Sequence, residues 1–179
     1  MENKELDELL EKIFSNVNSW LNFAEAKNAA NVGFVVACLA AIFSLEDVNA
    51  LLLNALLYTI CIFLVISGMF SLISFLPKLG NKVIRKIPLF SKDKKRITDE
   101  DNLIFFENIK EYSGEVYIKQ VCKMYFNKDE YTPTKYQLDL SDEIVYNSNV
   151  ASCKYKLFKK AIYLDIIAFL ILACSIIWA

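Results

Sequence analysis

VNALLLNALLYTICIFLVISGMFSLISFLP, residues 48–77, holds no charged side chain. A soluble domain of this length has no use for such a run. A helix rising about 1.5 Å per residue needs one to cross a hydrocarbon core of roughly 30 Å. Fully helical, the run would cover roughly 45 Å, too little for two crossings and more than one needs. A tilted helix, or one that continues past the interface toward Gly80, is expected. To its N-terminal side, AANVGFVVACLAAIFSL at 29–45 is also free of charge, and at the other end AIYLDIIAFLILACSIIWA at 161–179 is interrupted only by Asp165. The expectation is an all-α integral membrane protein with three transmembrane helices, in a chain that is 55% hydrophobic with a net charge of only −1.

Lysine and arginine placement orients these spans. Lys4, Lys12 and Lys27 precede the first, none lies in the turn around Glu46 and Asp47, and every other one lies between Lys78 and Lys160. The positive-inside bias puts both basic segments in the cytoplasm and the 46–49 loop and C-terminal Trp178 outside. Four segments follow: a cytosolic N-terminal arm (1–28), a transmembrane hairpin (29–77, spans about 29–45 and 50–76), a cytosolic helical region (78–160) and a third span (161–179). Glu2, Lys4, Glu5, Asp7, Glu8 and Glu11 make an acidic start rather than the basic one of a cleaved signal peptide.

Helical periodicity fills the cytosolic parts. Leu6, Leu9, Leu10, Ile13, Phe14, Val17, Trp20, Leu21 and Ala24 recur at spacings of three and four, predicting one long helix from about Leu6 to Leu45. Pro77, Gly80, Pro88 and the run Lys92, Lys94, Lys95, Arg96 read as a juxtamembrane linker attracted to anionic head groups. Thr98 with Asp101 resembles a capping box, and Leu103, Phe106, Ile109, Tyr112, Val116, Val121 and Met124 keep helical spacing, predicting a helix from about Asp99 to Tyr125 with Gly114 in its middle. A strand pair around Glu115–Tyr125 lacks clean alternation. Pro133 ends a polar connection, and Thr134 with Gln137 offers a second box, opening a helix from about Lys135 into the membrane. Helix extensions and the one inserted helix each carry an apolar stripe that cannot face water, so they should pack as a cytosolic bundle.

Chemistry-bearing residues are few. There is no histidine, and Cys38, Cys61, Cys122, Cys153 and Cys174 share no CxxC or metal-type spacing, so they read as small hydrophobes. No Gly-rich phosphate loop, recognisable carboxylate pair or nucleophile with a base is present, and no enzyme, metal or bound cofactor is expected. At the inner mouth of the first span stand Glu25, Lys27, Asn28 and Asn31. Lys27 either snorkels to the interface or, with the asparagines, faces the bundle interior to bind an anion or a base edge. Before the third span, Asn147 and Lys154 share one face, and Ser148 and Tyr155 another, as a ligand surface or as a solvated face with a basic belt. Asp165 is solvated, paired with a lysine, or lines a polar interior. The aromatic set Phe105, Phe106, Tyr112, Tyr117 and Tyr125 reads as core before it reads as a stacking platform.

The order of these pieces resembles the transmembrane effector family of Pycsar, a bacterial anti-phage defence system. The likeness is carried by LNFAEAK at 21–27, LPK at 76–78 (where Pro-Arg is more usual), NLIFF at 102–106, and Glu143-Ile144 through Asn147-Ser148 to Lys154-Tyr155. It implies a bacterial inner-membrane effector that senses a cyclic nucleotide made by a partner nucleotide cyclase and disrupts membrane integrity to stop phage spread. A cyclic mononucleotide would be the activating ligand, with Glu25, Lys27, Asn28, Asn31, Asn147, Lys154 and Tyr155 as its candidate contacts, and DNA or RNA would play no part. Three spans are too few to enclose a wide pore, so a homo-oligomer is expected. The alternative is a membrane scaffold that recruits a cytosolic partner without a ligand, and behind it a channel or transporter proper.

Overall fold

The computed structural model describes residues 2–44, 51–76, 98 and 100–178. Every regular element among them is an α-helix: α1 (Glu2–Phe43), α2 (Leu51–Ile73), the single turn α3 (Phe106–Ile109), α4 (Gly114–Phe126) and α5 (Lys135–Trp178). The all-α expectation stands, and the strand pair does not form. Two described helices are long and apolar enough to cross a membrane, with spans inside Lys4–Phe43 and Asn54–Ile73. The linker at 77–97 and the loop around Glu46 lie outside the described residues.

The chain divides into two compact units, Met1–Phe23 with Lys78–Cys153, and Ala24–Pro77 with Lys154–Ala179. In the first, the α1 stripe is buried at Leu6, Leu10, Ile13 and Val17, each contributing about 1.5–3 kcal/mol on leaving water. Residues of α1 and α5 in this unit pair in parallel register. Gln137 Nε2 donates to Asp7 Oδ1 at 2.8 Å, Tyr136 Oη to Glu11 Oε1 at 2.8 Å, and Asn147 Nδ2 to Asn18 Oδ1 at 2.8 Å. α5 opens on the predicted box: the Thr134 N–H donates to Gln137 Oε1 at 3.0 Å and the Gln137 N–H to Thr134 Oγ1 at 3.3 Å.

The single inserted helix from about Asp99 to Tyr125 is not what forms. Half of the first box is made, since the Thr98 N–H donates to Asp101 Oδ2 at 3.1 Å. The chain then turns instead of coiling, because Asn102 Oδ1 accepts from the Ile104 and Phe105 N–H groups as an Asx turn does. After α3 the backbone breaks at 110–113. Ser113, extended at φ −92° and ψ 157°, caps α4 by accepting from the Val116 N–H. Gly114 is thus the first residue of α4 and not the middle of a helix. The break resets the helical phase: Leu103, Phe106, Ile109, Tyr112 and Val121 are buried as expected, but Tyr117 and Ile118 also turn inward while Val116 and Met124 are exposed.

In the second unit, Val35, Ile60, Leu64 and Ala168 form a core with Cys38, Leu39, Ile42, Leu57, Phe63, Ile171 and Leu172 against it. α1 and α2 run antiparallel, with Gly68 close enough to Val35 that an added Cβ would meet its Cγ1 at 3.3 Å. α5 runs parallel to α1, Phe34 stacking on Phe169 at 5.7 Å. The outer faces are as apolar as the core: Phe43, Tyr58, Ile62, Leu72 and Leu170 are all well exposed. That inside-out composition is the mark of helices solvated by lipid tails.

Candidate functional site

The polar residues of the second unit gather where α1, the C-terminal end of α2 and α5 meet. Glu25, Asn28 and Asn31 are spaced by threes on α1, and Lys154 stands on α5. Lys154 is 6% exposed. Its Nζ lies 3.0 Å from Glu25 Oε1 and donates to the Ser74 carbonyl oxygen at 2.7 Å. α2 ends one residue before Ser74, so the lysine caps a helix C-terminus, where unpaired carbonyls and the negative end of the helix dipole favour a cation. The Phe75 ring lies 5.8 Å from the same nitrogen.

Asn28 is fully buried and ties α1 to α5 by donating from Nδ2 to the Ala24 carbonyl at 2.8 Å and the Lys154 carbonyl at 3.3 Å. Its Oδ1 accepts no hydrogen bond. Lys27 also reaches α5, its Nζ 5.5 Å from the centroids of both Tyr155 and Phe158. Burial pushes the Tyr155 phenol above its ordinary range. Asn31, one turn deeper, donates from Nδ2 to Ser67 Oγ at 3.1 Å and Ser71 Oγ at 3.0 Å.

The structure therefore brings Glu25, Asn28 and Lys154 into contact, sets Lys27 against Tyr155, and links Asn31 to α2. Asn147 belongs to the other unit, bonded to Asn18. Sequence reasoning overlooked Ser67, Ser71, Ser74 and Phe75. Three serines at spacings of four and three on one face of an otherwise apolar span were the signal, since hydroxyls there seek partners on neighbouring helices. Among the described residues no cluster of three or more His, Cys, Asp or Glu side chains exists to hold a metal.

Two lysines of different standing result. Lys154 is buried and matched by a carboxylate whose own side chain is 46% exposed. Lys27 lies over aromatic faces, an arrangement worth about 0.5–1 kcal/mol at exposed sites. Together with the open Asn28 oxygen, the set offers charge for an anion and an acceptor for a donor edge.

Residues 9–179 match the family model of the Pycsar effector protein domain. The chain belongs to that family. The match takes in residues of both units and of all five described helices, and it makes this membrane protein a phage-defence effector. No curated protein and no solved structure matches the chain.

Proposed function

We propose that this Pycsar effector is activated by a cyclic nucleotide supplied by a partner cyclase and stops phage spread by disrupting the bacterial inner membrane. The observation that carries the reading is the uneven pair Lys154–Glu25. A phosphodiester competes for the lysine with a carboxylate that water can receive, so the exchange strands no buried charge. Asn28 Oδ1 then offers an acceptor to a base edge. Lys27 and Tyr155 supply further charge and a ring face. Of the other candidates, Asn31 holds Ser67 and Ser71 in this unit, while Asn147, in the other unit, holds Asn18. Losing Glu25 from Lys154 also alters the cap on α2, which gives ligand binding a route into a span.

The reading keeps three spans, with α5 crossing over 161–179, the N-terminus in the cytoplasm and the C-terminus outside. Ile166, Ile167, Phe169 and Leu170 stand exposed on that part of α5, as a lipid-facing surface would. Three helices enclose no wide pore, so the effector acts as a homo-oligomer whose breach forms between copies, without catalysis. A scaffold role is the second reading, favoured by the part-exposed rings of Trp20 and Phe105, 6.3 Å apart.

The test is thermal stabilisation of the detergent-solubilised protein by a panel of cyclic mono- and oligonucleotides, followed by dye leakage from liposomes with the nucleotide that shifts it. One nucleotide should raise Tm and trigger leakage. Lys154→Ala should abolish the shift and reduce toxicity on activation. No shift with any nucleotide would favour the scaffold, and flux without a ligand would favour a channel.

A further inference from the structure

We propose that the transmembrane unit holds a binding site for a monovalent alkali cation, centred on Asp165 and walled by Asn31, Ser67 and Ser71. Asp165 is 4% exposed, so it is neither solvated at an interface nor turned to lipid. Neither of its carboxylate oxygens accepts a hydrogen bond. Ser67 and Asn31 are the polar side chains beside the carboxyl, and Asn31 in turn holds Ser71. All three neighbours are buried as deeply as the acid. The buried lysine of the same helix, Lys154, is committed to Glu25 and the Ser74 carbonyl. A carboxylate so placed is among the least favourable groups a membrane helix can carry, and such residues face an interior where something meets their charge.

The chemistry of the walls selects what meets it. Asn31 donates to both serine hydroxyl oxygens, and a hydroxyl oxygen has two lone pairs, so each serine keeps one for a further partner. Carboxylate and hydroxyl oxygens are hard ligands, and the described residues offer no histidine or thiolate cluster that would draw zinc or copper. A lone carboxylate balances one positive charge. A divalent ion would leave a net charge buried, and calcium takes six to eight oxygens, usually from several carboxylates. Sodium or potassium, its shell completed by water, neutralises the site. Because the ligands come from α1, α2 and α5, an occupied site ties all three helices together. The inference concerns this unit alone and stands whether or not a nucleotide activates the chain.

The experiment melts the purified full-length protein in detergent at one pH and one ionic strength, in sodium, potassium or N-methylglucamine chloride. An alkali cation should raise Tm saturably by several degrees over N-methylglucamine, and Asp165→Asn should lose the response. Equal melting of the wild type in all three salts overturns the proposal, as does an Asp165→Asn protein that still responds. Should that variant fail to fold, equilibrium dialysis of the wild type with radioactive sodium decides. Saturable retention displaced by unlabelled alkali salt supports the site, and no retention overturns it.

Discussion

Gly114 shows how one missing Cβ sets local structure. A methyl group there would sit 2.8 Å from the Asp142 backbone nitrogen and closer still to the Asp142 carboxyl. The backbone of α5 cannot retreat from that contact as a flexible side chain can. Gly114→Ala should therefore cost about 1–3 kcal/mol of overpacking strain, read as a Tm lower by several degrees in circular dichroism melts. An unchanged Tm would mean the two helices have room to separate.

Cys122 makes a second prediction at this scale. It is 1% exposed, and burial pushes its thiol up to about 11, with Lys128 pulling weakly the other way. A free thiol titrates near 8.5 and reacts as the thiolate. The sign follows: the stability gained by keeping the thiol neutral is present below the unfolded value of about 8.5 and is lost as pH rises through about 11. Cys122 should resist iodoacetamide at pH 8 in the folded protein and react once it is unfolded, as mass spectrometry of the peptide would report. Native labelling at the denatured rate would contradict the burial.

At the scale of elements, what could be read in advance depended on whether the deciding interactions were local. The Thr134–Gln137 box is two hydrogen bonds within four residues, so α5 begins where the sequence places it. α1 likewise declares itself by an uninterrupted stripe, observed from Glu2 to Phe43 against an expected Leu6 to Leu45. The break between α3 and α4 was not legible, because Leu103 to Tyr112 and Val116 to Met124 can be threaded on one helical period. Only the Asn102 turn, the Ser113 cap and the contact with Asp142 distinguish two helices from one, and the last is tertiary. The site followed the same rule. Glu25, Asn28 and Lys154 drew notice as polar residues at span mouths, but their pairing and the part of Ser74 depend on α2 ending beside α5.

Gln137 allows the element scale to be tested. It is fully buried, accepts from the Thr134 N–H and from Tyr131 Oη at 2.8 Å, and donates to Asp7 on α1. Gln137→Ala removes the cap acceptor and leaves buried polar groups short of partners, for a loss of about 2–4 kcal/mol. Thr134→Ala removes only the reciprocal bond and should cost about 1 kcal/mol. Melting curves giving the two variants equal losses would show that the link to α1 adds nothing to the cap.

For the molecule as a whole, charge and helix length speak to topology together. α1 has 42 residues and α5 has 44, each longer than the roughly 20 residues that one crossing needs. Each contributes to both compact units. Asp165 apart, the surplus in each helix holds the charges: Glu2 to Lys27 before the apolar part of α1, and Lys135 to Lys160 before that of α5. In the proposed three-span topology the two parallel helices, charged ends preceding apolar ends, enter lipid from the same side, which the positive-inside bias of their lysines would make the cytoplasm. The antiparallel α2 returns the chain there. An epitope inserted at Glu100 should then resist protease added to intact cells and be cut after permeabilisation, while a tag following Ala179 should be cut in intact cells. Cleavage at residue 100 from outside would invert the orientation, and a protected C-terminal tag with a protected residue 100 would remove the third crossing.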